Sequence, residues 1–470
     1  MTSGKATTQT RSAIAALWQC CGGDVAALDD LDLSGDEPAL PSSFRVGTAA
    51  QASIGAAGLA AAELWRQRTG RRQRVRVDMR HAAVEFRSER YLRVAGKGIG
   101  SLWESIAGLY RTGDGGHVRL HTNFRHHRDA VLSLLGCEPT REAVQAALLR
   151  WNAVDFETRA YDAGCVVAAL RSPEAWAAHA QAAAVASLPP IAIEKIGEAP
   201  PHALSDGPRP LSGLHVLDLT RVIAGPVGGR TLAAHGATVM RIGAANLPTF
   251  EWLDRDTGRG KLSAHADLKS SEGRRALERL VTGADVFIQG YRPGAIAALG
   301  FAPADVARLK PGIVQVSLSA YGHLGPWAGR RGFDSLVQTA SGFNQAEGAA
   351  AGGERPRELP CQALDHASGY LIALGAMLAR ARQARAGGSW LVRVSLAQTG
   401  RWIWQLGREA QGFAAADPGY DEVQDLMETS ASPFGEIRAV KHAALLSETP
   451  ARWDRPTVPP GTHAPAWPEG

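Results

Sequence analysis

Few residue patterns in this chain have types and spacing that could do chemistry, and most of those fail on detail. Gly258 to Ser263 reads GRGKLS, which lacks the upstream glycine of a phosphate-cradling loop and places Leu262 between lysine and serine. Gly225-Pro226-Val227-Gly228-Gly229 follows an apolar run and opens a helical one, but it is not the spaced glycine fingerprint of a dinucleotide fold. Gly243, not an acid, follows the next apolar run, so NAD is not expected. His117 and His121 stand four apart, with His126 and His127 nearby, yet 118–120 reads as strand and no glutamate follows His117, so no metal site is expected. No GxSxG elbow for a serine nucleophile occurs. What remains is a set of strings, one of which carries Asp365 after the apolar pair Ala363-Leu364 and before a helical stretch rich in small residues. With an ordinary pKa of about 4 it would be ionised at neutral pH, a nucleophile that needs no adjacent base. It could equally cap a helix starting near His366, and spacing alone leaves both roles open.

Residues 214–318 must supply the frame for such a site. Apolar runs at 214–219 (LHVLDL), 237–242 (ATVMRI), 284–289 (ADVFIQ) and 313–318 (IVQVSL) have strand length and β-branched content. Between them, 271–282 (SEGRRALERLVT) has a capping serine, Glu272 in its first turn and an apolar stripe of Ala276, Leu277, Leu280 and Val281. The alternation predicts an α/β fold with a parallel, Rossmann-like sheet. Ligands bind such sheets beyond the carboxyl ends of the strands, here the loops 220–226, 290–294 and 319–326.

Sliding the chain against itself by 317 positions lays 365–396 on 48–79 without a gap. Both segments carry a small-residue helix, a basic glycine-containing turn and a Val-Arg-Val strand, the pattern of a partial duplication. Thr48 stands where the second copy has Asp365. A polar, proline-bearing stretch at 202–210 (HALSDGPRP) reads as a linker. The expected division is 1–204, a degenerate partial copy with a small-domain-like region; 211–420, the domain with the nucleophile; and 421–470, a tail packing back on the core.

With 470 residues, 45% of them hydrophobic, the chain can bury large cores, and 21% charged residues of interspersed sign exclude the disordered and fibrous classes. A net charge of +5 suits polyanionic partners without choosing among them. The basic run 66–76 has no interleaved aromatics and reads as a solvated face, so nucleic acid is not expected. Five cysteines without CxxC spacing suit a reducing cytosol. No apolar run reaches the length of about 18 residues that spans a membrane, and no signal-peptide order opens the chain, so a cytoplasmic protein is expected. The first dozen residues carry no packed pattern, and the proline-rich last twenty read as an extended tail.

Taken in order, the strings around the candidate form a longer pattern. They are Leu217-Asp218-Leu219-Thr220-Arg221-Val222-Ile223-Ala224-Gly225-Pro226, Gly260-Lys261 with Asp267-Leu268-Lys269, Tyr291-Arg292-Pro293-Gly294 with Leu299-Gly300, and Tyr321-Gly322-His323-Leu324-Gly325-Pro326. Phe333-Asp334, Leu364-Asp365-His366-Ala367-Ser368-Gly369 and Val392-Arg393-Val394-Ser395-Leu396 complete it. This order resembles the family III CoA transferases, which include formyl-CoA, carnitine-CoA and bile-acid-CoA transferases. The resemblance implies a Rossmann-like large domain, a smaller α/β domain and an interlocked homodimer. It implies no permanently bound cofactor, with acyl-CoA and a carboxylic acid as substrates and Asp365 attacking the thioester to form a mixed anhydride. Val222 and Ala224 would line the first-strand loop, Lys269 and Arg331 approach the nucleotide, and Tyr291 stack near the adenine, with Arg292 in the same string. Residues 110–118 resemble the entry to the family's small domain, so the halves look rearranged.

The sequence departs from the family at Arg241-Ile242-Gly243, where members commonly have Lys-Ile-Glu, and at Gly290, where they usually have Asn. A 2-methylacyl-CoA racemase is the nearest rival, but the histidine it needs before the aspartate of Gly332-Phe333-Asp334 is replaced by Phe333. A non-catalytic CoA-binding protein is a second rival, prompted by Thr48.

Overall fold

The computed structural model describes residues 3–468. All four apolar runs between 214 and 318 become strands of one mixed sheet. In chain order its strands are β1 (Ile191–Gly197), β2 (His215–Leu219), β3 (Thr238–Gly243), β4 (Lys261–His265), β5 (Val286–Gln289), β6 (Val314–Ser319) and β7 (Ser389–Ser395). They lie side by side as β4-β3-β2-β5-β6-β7-β1. Every pair is parallel except β7 with β1. The order reverses between β2 and β5, which makes their carboxyl ends the switch point where such sheets open a crevice. β1 belongs to the N-terminal side of the 202–210 linker, so the sheet is closed by a strand from outside 211–420.

Three helices fix what surrounds the crevice: α1 (Val46–Thr69), α2 (Ala224–Ala234) and α3 (Ala363–Ala386). α1 and α3 are apolar nearly all round, as fully buried helices must be, and they pack on each other. α3 also crosses α2 closely. A Cβ at Gly369 would lie 2.7 Å from the Ala224 carbonyl oxygen, and one at Gly228 would lie 2.7 Å from Ile372 Cγ2, so glycine at both positions lets the two backbones approach.

The N-terminal part has its own small parallel pair, Leu31–Ser34 beside Val75–Asp78, extended by Leu445–Leu446. A separate three-stranded sheet of Gly108–Arg111, His117–Leu120 and Val167–Ala169 has its own core around Ile106, Val131 and Phe156. The expectation of no packed pattern in the first dozen residues is corrected: Ser3–Cys20 is a helix that buries Thr10, Ala13, Ile14, Leu17 and Trp18. The exposed Arg11, Ser12 and Gln19 lie on its other face and hide the period. The C-terminal stretch is extended and anchored, with Trp453 Nε1 donating to the Arg230 carbonyl at 3.0 Å and Trp467 Nε1 to that of Leu280 at 2.9 Å.

Candidate active site

Asp365 lies in the first turn of α3. It does not cap the helix, which starts two residues earlier with Gln362 in the cap position. Instead the backbone N–H of Asp365 donates to Asp334 Oδ2 at 2.9 Å, so one of the four amides left open at a helix start is taken by a neighbouring carboxylate. Asp334 is itself fixed by Gln338, whose amide donates to it and whose Oε1 accepts from the Leu359 N–H at 3.0 Å. Among the described residues no group donates a hydrogen bond to the Asp365 carboxylate, which is 7% exposed.

That carboxylate faces a cavity of about 280 Å³. Both sides of the linker build its wall: Asp334, Asp365 and Phe333 from one side, Glu89, Trp103 and His121 from the other. Glu89 is held by His366, its Oε2 lying 3.0 Å from the ring Nε2. Burial opposes the ionisation of Glu89, but the adjacent His366 holds it below the usual carboxylate range. Asp365 is not the ordinary ionised aspartate its sequence context led us to expect. Burial, then the nearby charges of Asp334 and Glu89, push its carboxyl well above the usual range. Burial likewise pushes Asp334 up to about 6.

The loop after β2 forms the adjacent wall and is held from below. Asp218 Oδ1 accepts from the Thr220 N–H at 3.0 Å, and Lys261 Nζ donates at 2.8 Å both to Asp218 Oδ2 and to the Pro226 carbonyl. This buried ion pair ties the end of β2 to the first turn of α2, which explains why the Leu-Asp-Leu-Thr and Gly-Lys strings occur together. Val222, on this loop, has φ of 74°. A β-branched residue in the left-handed region is strained, and such strain clusters where loops meet ligands.

The predicted residues divide among several places. Val222 lines the Asp365 cavity. Ala224 is buried at the start of α2, with its carbonyl against Gly369. Lys269 and Tyr291 line a second, apolar cavity of about 120 Å³ at the ends of β3, β4 and β5, with Leu247, Leu268, Ile296 and Leu299. The 244–250 loop borders both, giving Asn246 and Leu247 to the smaller cavity and Thr249 and Phe250 to the larger. Arg292 is exposed, and Arg331 is exposed with its guanidinium 3.4 Å from the Gly164 carbonyl; neither lines a cavity with Lys269 or Asp365. In the sequence Asp334 stands out only as part of a string, and nothing there links Glu89, His121 or Phe250 to Asp365. Their sequence separation from Asp365 hides them. Among the described residues, no group of three or more His, Cys, Asp or Glu is placed to hold a metal ion.

Residues 211–407 match the family model described as CoA-transferase family III. That segment belongs to CoA-transferase family III. Relatives include an acetyl-coenzyme A transferase of Hypoxylon pulicicidum, 34% identical over 43% of this chain and 35% of that protein. A probable fatty acyl-CoA transferase of Mycobacterium tuberculosis is 30% identical over 41% of this chain and 52% of its own. A succinate–glutarate CoA-transferase of Agrobacterium fabrum is 36% identical over 30% of this chain and 39% of its own. The chain thus spans between about a third and a half of these relatives' length. The crystal structure of a hypothetical protein (Rv3272) from Mycobacterium tuberculosis aligns at 30% identity with a TM-score of 0.38, over 43% of this chain and 59% of that one. The family III segment contains β2 to β7, α2 and α3, and therefore Asp365, Asp334 and both cavity-bordering loops.

Proposed function

We propose that this protein transfers CoA between an acyl-CoA thioester and a carboxylic acid, with Asp365 as the covalent carrier. The observation that carries the reading is an unbonded carboxylate on the first turn of a family III helix, facing a cavity that the N-terminal part closes. Attack of Asp365 Oδ on the thioester carbonyl carbon forms a mixed anhydride and breaks the C–S bond, and CoA leaves as thiolate. The thiolate then attacks the aspartyl carbonyl, releasing the donor acid and leaving an enzyme thioester, which the acceptor carboxylate attacks in turn. The acceptor anhydride thus formed returns its acyl group to the thiolate. Each step keeps water out, which suits a site with 7% exposure. Burial and the neighbouring Asp334 and Glu89 raise the Asp365 pKa, so its carboxyl is ionised over a higher pH range than a free aspartate and the rate should rise with pH.

The 120 Å³ cavity around Tyr291 and Lys269 is where the reading seats the nucleotide end of CoA, with the pantetheine arm following the 244–250 loop to Asp365. Because both parts of one chain line the larger cavity, the reading expects one active site per chain. The test is exchange between an acyl-CoA and isotopically labelled free acid. Labelled acyl-CoA is expected from the unaltered protein and none from Asp365→Ala, which should remain folded and still bind CoA.

One observation favours a second reading, the racemase. The His121 ring stacks on Phe333 with centroids 3.8 Å apart, and among the described residues neither of its nitrogens has a partner. The N-terminal part thus brings an imidazole beside the position where the family segment lacks one. Exchange of the α-proton of a 2-methylacyl-CoA in heavy water, without an acid acceptor, would select that reading.

A further inference from the structure

Resting on the transferase reading, we propose that the Asp365 cavity accepts an uncharged, apolar acyl group, aromatic or medium-length aliphatic, and rejects dicarboxylic acyl groups. Ile99, Leu102, Trp103, Phe250, Trp252 and Phe333 supply its apolar surface. Its acidic members are Glu89, Glu251, Asp334 and Asp365, its histidine, His121, is held neutral, and among the described residues no lysine or arginine lines it. A second carboxylate on the acyl chain would give up water for an apolar wall beside the Glu89 carboxylate, with no cation among the lining residues to meet it, a costly arrangement for an anion.

The polar neutral groups fit a carbonyl better than an anion. His121, 4% exposed, has both nitrogens without partners. Burial, with Arg119 and His127 nearby, holds its ring neutral. A neutral imidazole has one N–H, enough to meet the acyl oxygen but not to balance a charge. The cations of this region lie next door. A groove of about 1360 Å³ is lined by Arg111, Arg119, Arg141 and Arg171, and Trp103 is a wall of both spaces. Arg119 is stacked 4.7 Å over the Trp103 ring and paired with Glu358, so its charge is already taken. Size agrees with the chemistry. At about 30 Å³ per water-sized group, the 280 Å³ cavity holds the equivalent of a phenyl ring and its linker or a six-carbon chain, but not a long acyl tail.

The experiment is calorimetric titration of phenylacetyl-CoA, hexanoyl-CoA and succinyl-CoA into Asp365→Asn, which leaves the donors intact, paired with kcat/KM for each donor on the unaltered protein. Both apolar donors are expected to bind on the order of 100-fold more tightly than succinyl-CoA, the ratio that one like charge at about 5 Å produces at an effective dielectric of about 20. Succinyl-CoA binding as tightly as hexanoyl-CoA, or more tightly, overturns the proposal. If the preference holds while no donor transfers CoA in the unaltered protein, the acyl class stands and the transferase reading falls. Leu102→Arg places a cation in the wall and should cut the difference at least tenfold. A melting curve first establishes that this variant folds, and if it does not, the comparison among donors decides alone.

Discussion

α1 and α3 match in length and in the conformation of their caps, but only α3 presents a carboxylate to a cavity. Both run 24 residues, and their starts and ends are offset by the same 317 positions that align the sequences. Their cap residues share a conformation, Arg45 at φ −80° and ψ 68°, Gln362 at φ −77° and ψ 65°. Each is followed by a strand and then a further helix, and the second helix is capped in equivalent fashion, by Asp78 accepting from the His81 N–H and by Ser395 accepting from the Gln398 N–H. Even the amide in the first turn is met alike. Thr48 N–H donates to Glu37 Oε1 at 2.6 Å, as Asp365 N–H donates to Asp334 Oδ2 at 2.9 Å. What differs is the side chain and the space before it. Thr48 is fully buried beside Glu37, whereas Asp365 opens on a cavity. Burial and the first-turn amide bonds hold both helices, and neither depends on the side chain at position 48 or 365.

Predictions can break this comparison in order of effect. Asp365→Ala should lower transfer by at least about 1,000-fold, as loss of a covalent nucleophile does, while Thr48→Ala changes it less than twofold; steady-state exchange rates compare the two. Comparable losses at both positions would mean that the first copy also contributes chemistry. Next in size, Thr48→Asp buries a carboxylate without a cavity and should cost about 3 kcal/mol or more by denaturant unfolding. Gly369→Ala should cost about 2 kcal/mol, since its new Cβ meets Ala224 and Val227 at 2.7 Å, whereas position 52, its counterpart in α1, already holds alanine buried without penalty. Ala52→Gly should cost only about 1 kcal/mol. The smallest effect is on pH. Asp365 and Asp334 hold their protons more tightly folded than unfolded, so their contribution is full below about pH 4 and is lost as pH rises through their raised values. Asp365→Asn should therefore flatten the fall in melting temperature between pH 4 and neutrality; an unchanged slope would place the titration elsewhere.

The sheet was legible where strands are buried on both faces, because 214–219, 237–242, 284–289 and 313–318 read as continuous apolar runs. β1 was not, since the exposed Glu194 and Lys195 interrupt its apolar run, as an edge position allows. Self-comparison exposed the matching helices because small residues are required where a helix packs closely on a strand: a Cβ at Gly58 would lie 2.8 Å from Val75 Cγ1, and one at Gly375 would lie 2.5 Å from Val392 Cγ1. Asp365 was visible in its string, but its pKa was not, because that depends on Asp334 and on Glu89, a residue 276 positions away in the chain. The same distance concealed His121 and Trp103. Arg292 and Arg331, assigned by position in a motif, lie exposed outside the walls of both cavities, and a string says little about where a long exposed side chain points.

The central claim is that one aspartate carries the acyl group. The direct measurement is to incubate the protein with an acyl-CoA, trap with hydroxylamine and map the modified peptide by mass spectrometry. A hydroxamate at Asp365, absent from the Asp365→Asn protein and from the peptide containing Thr48, is the predicted result. CoA exchange proceeding at full rate with Asp365 unmodified would contradict it.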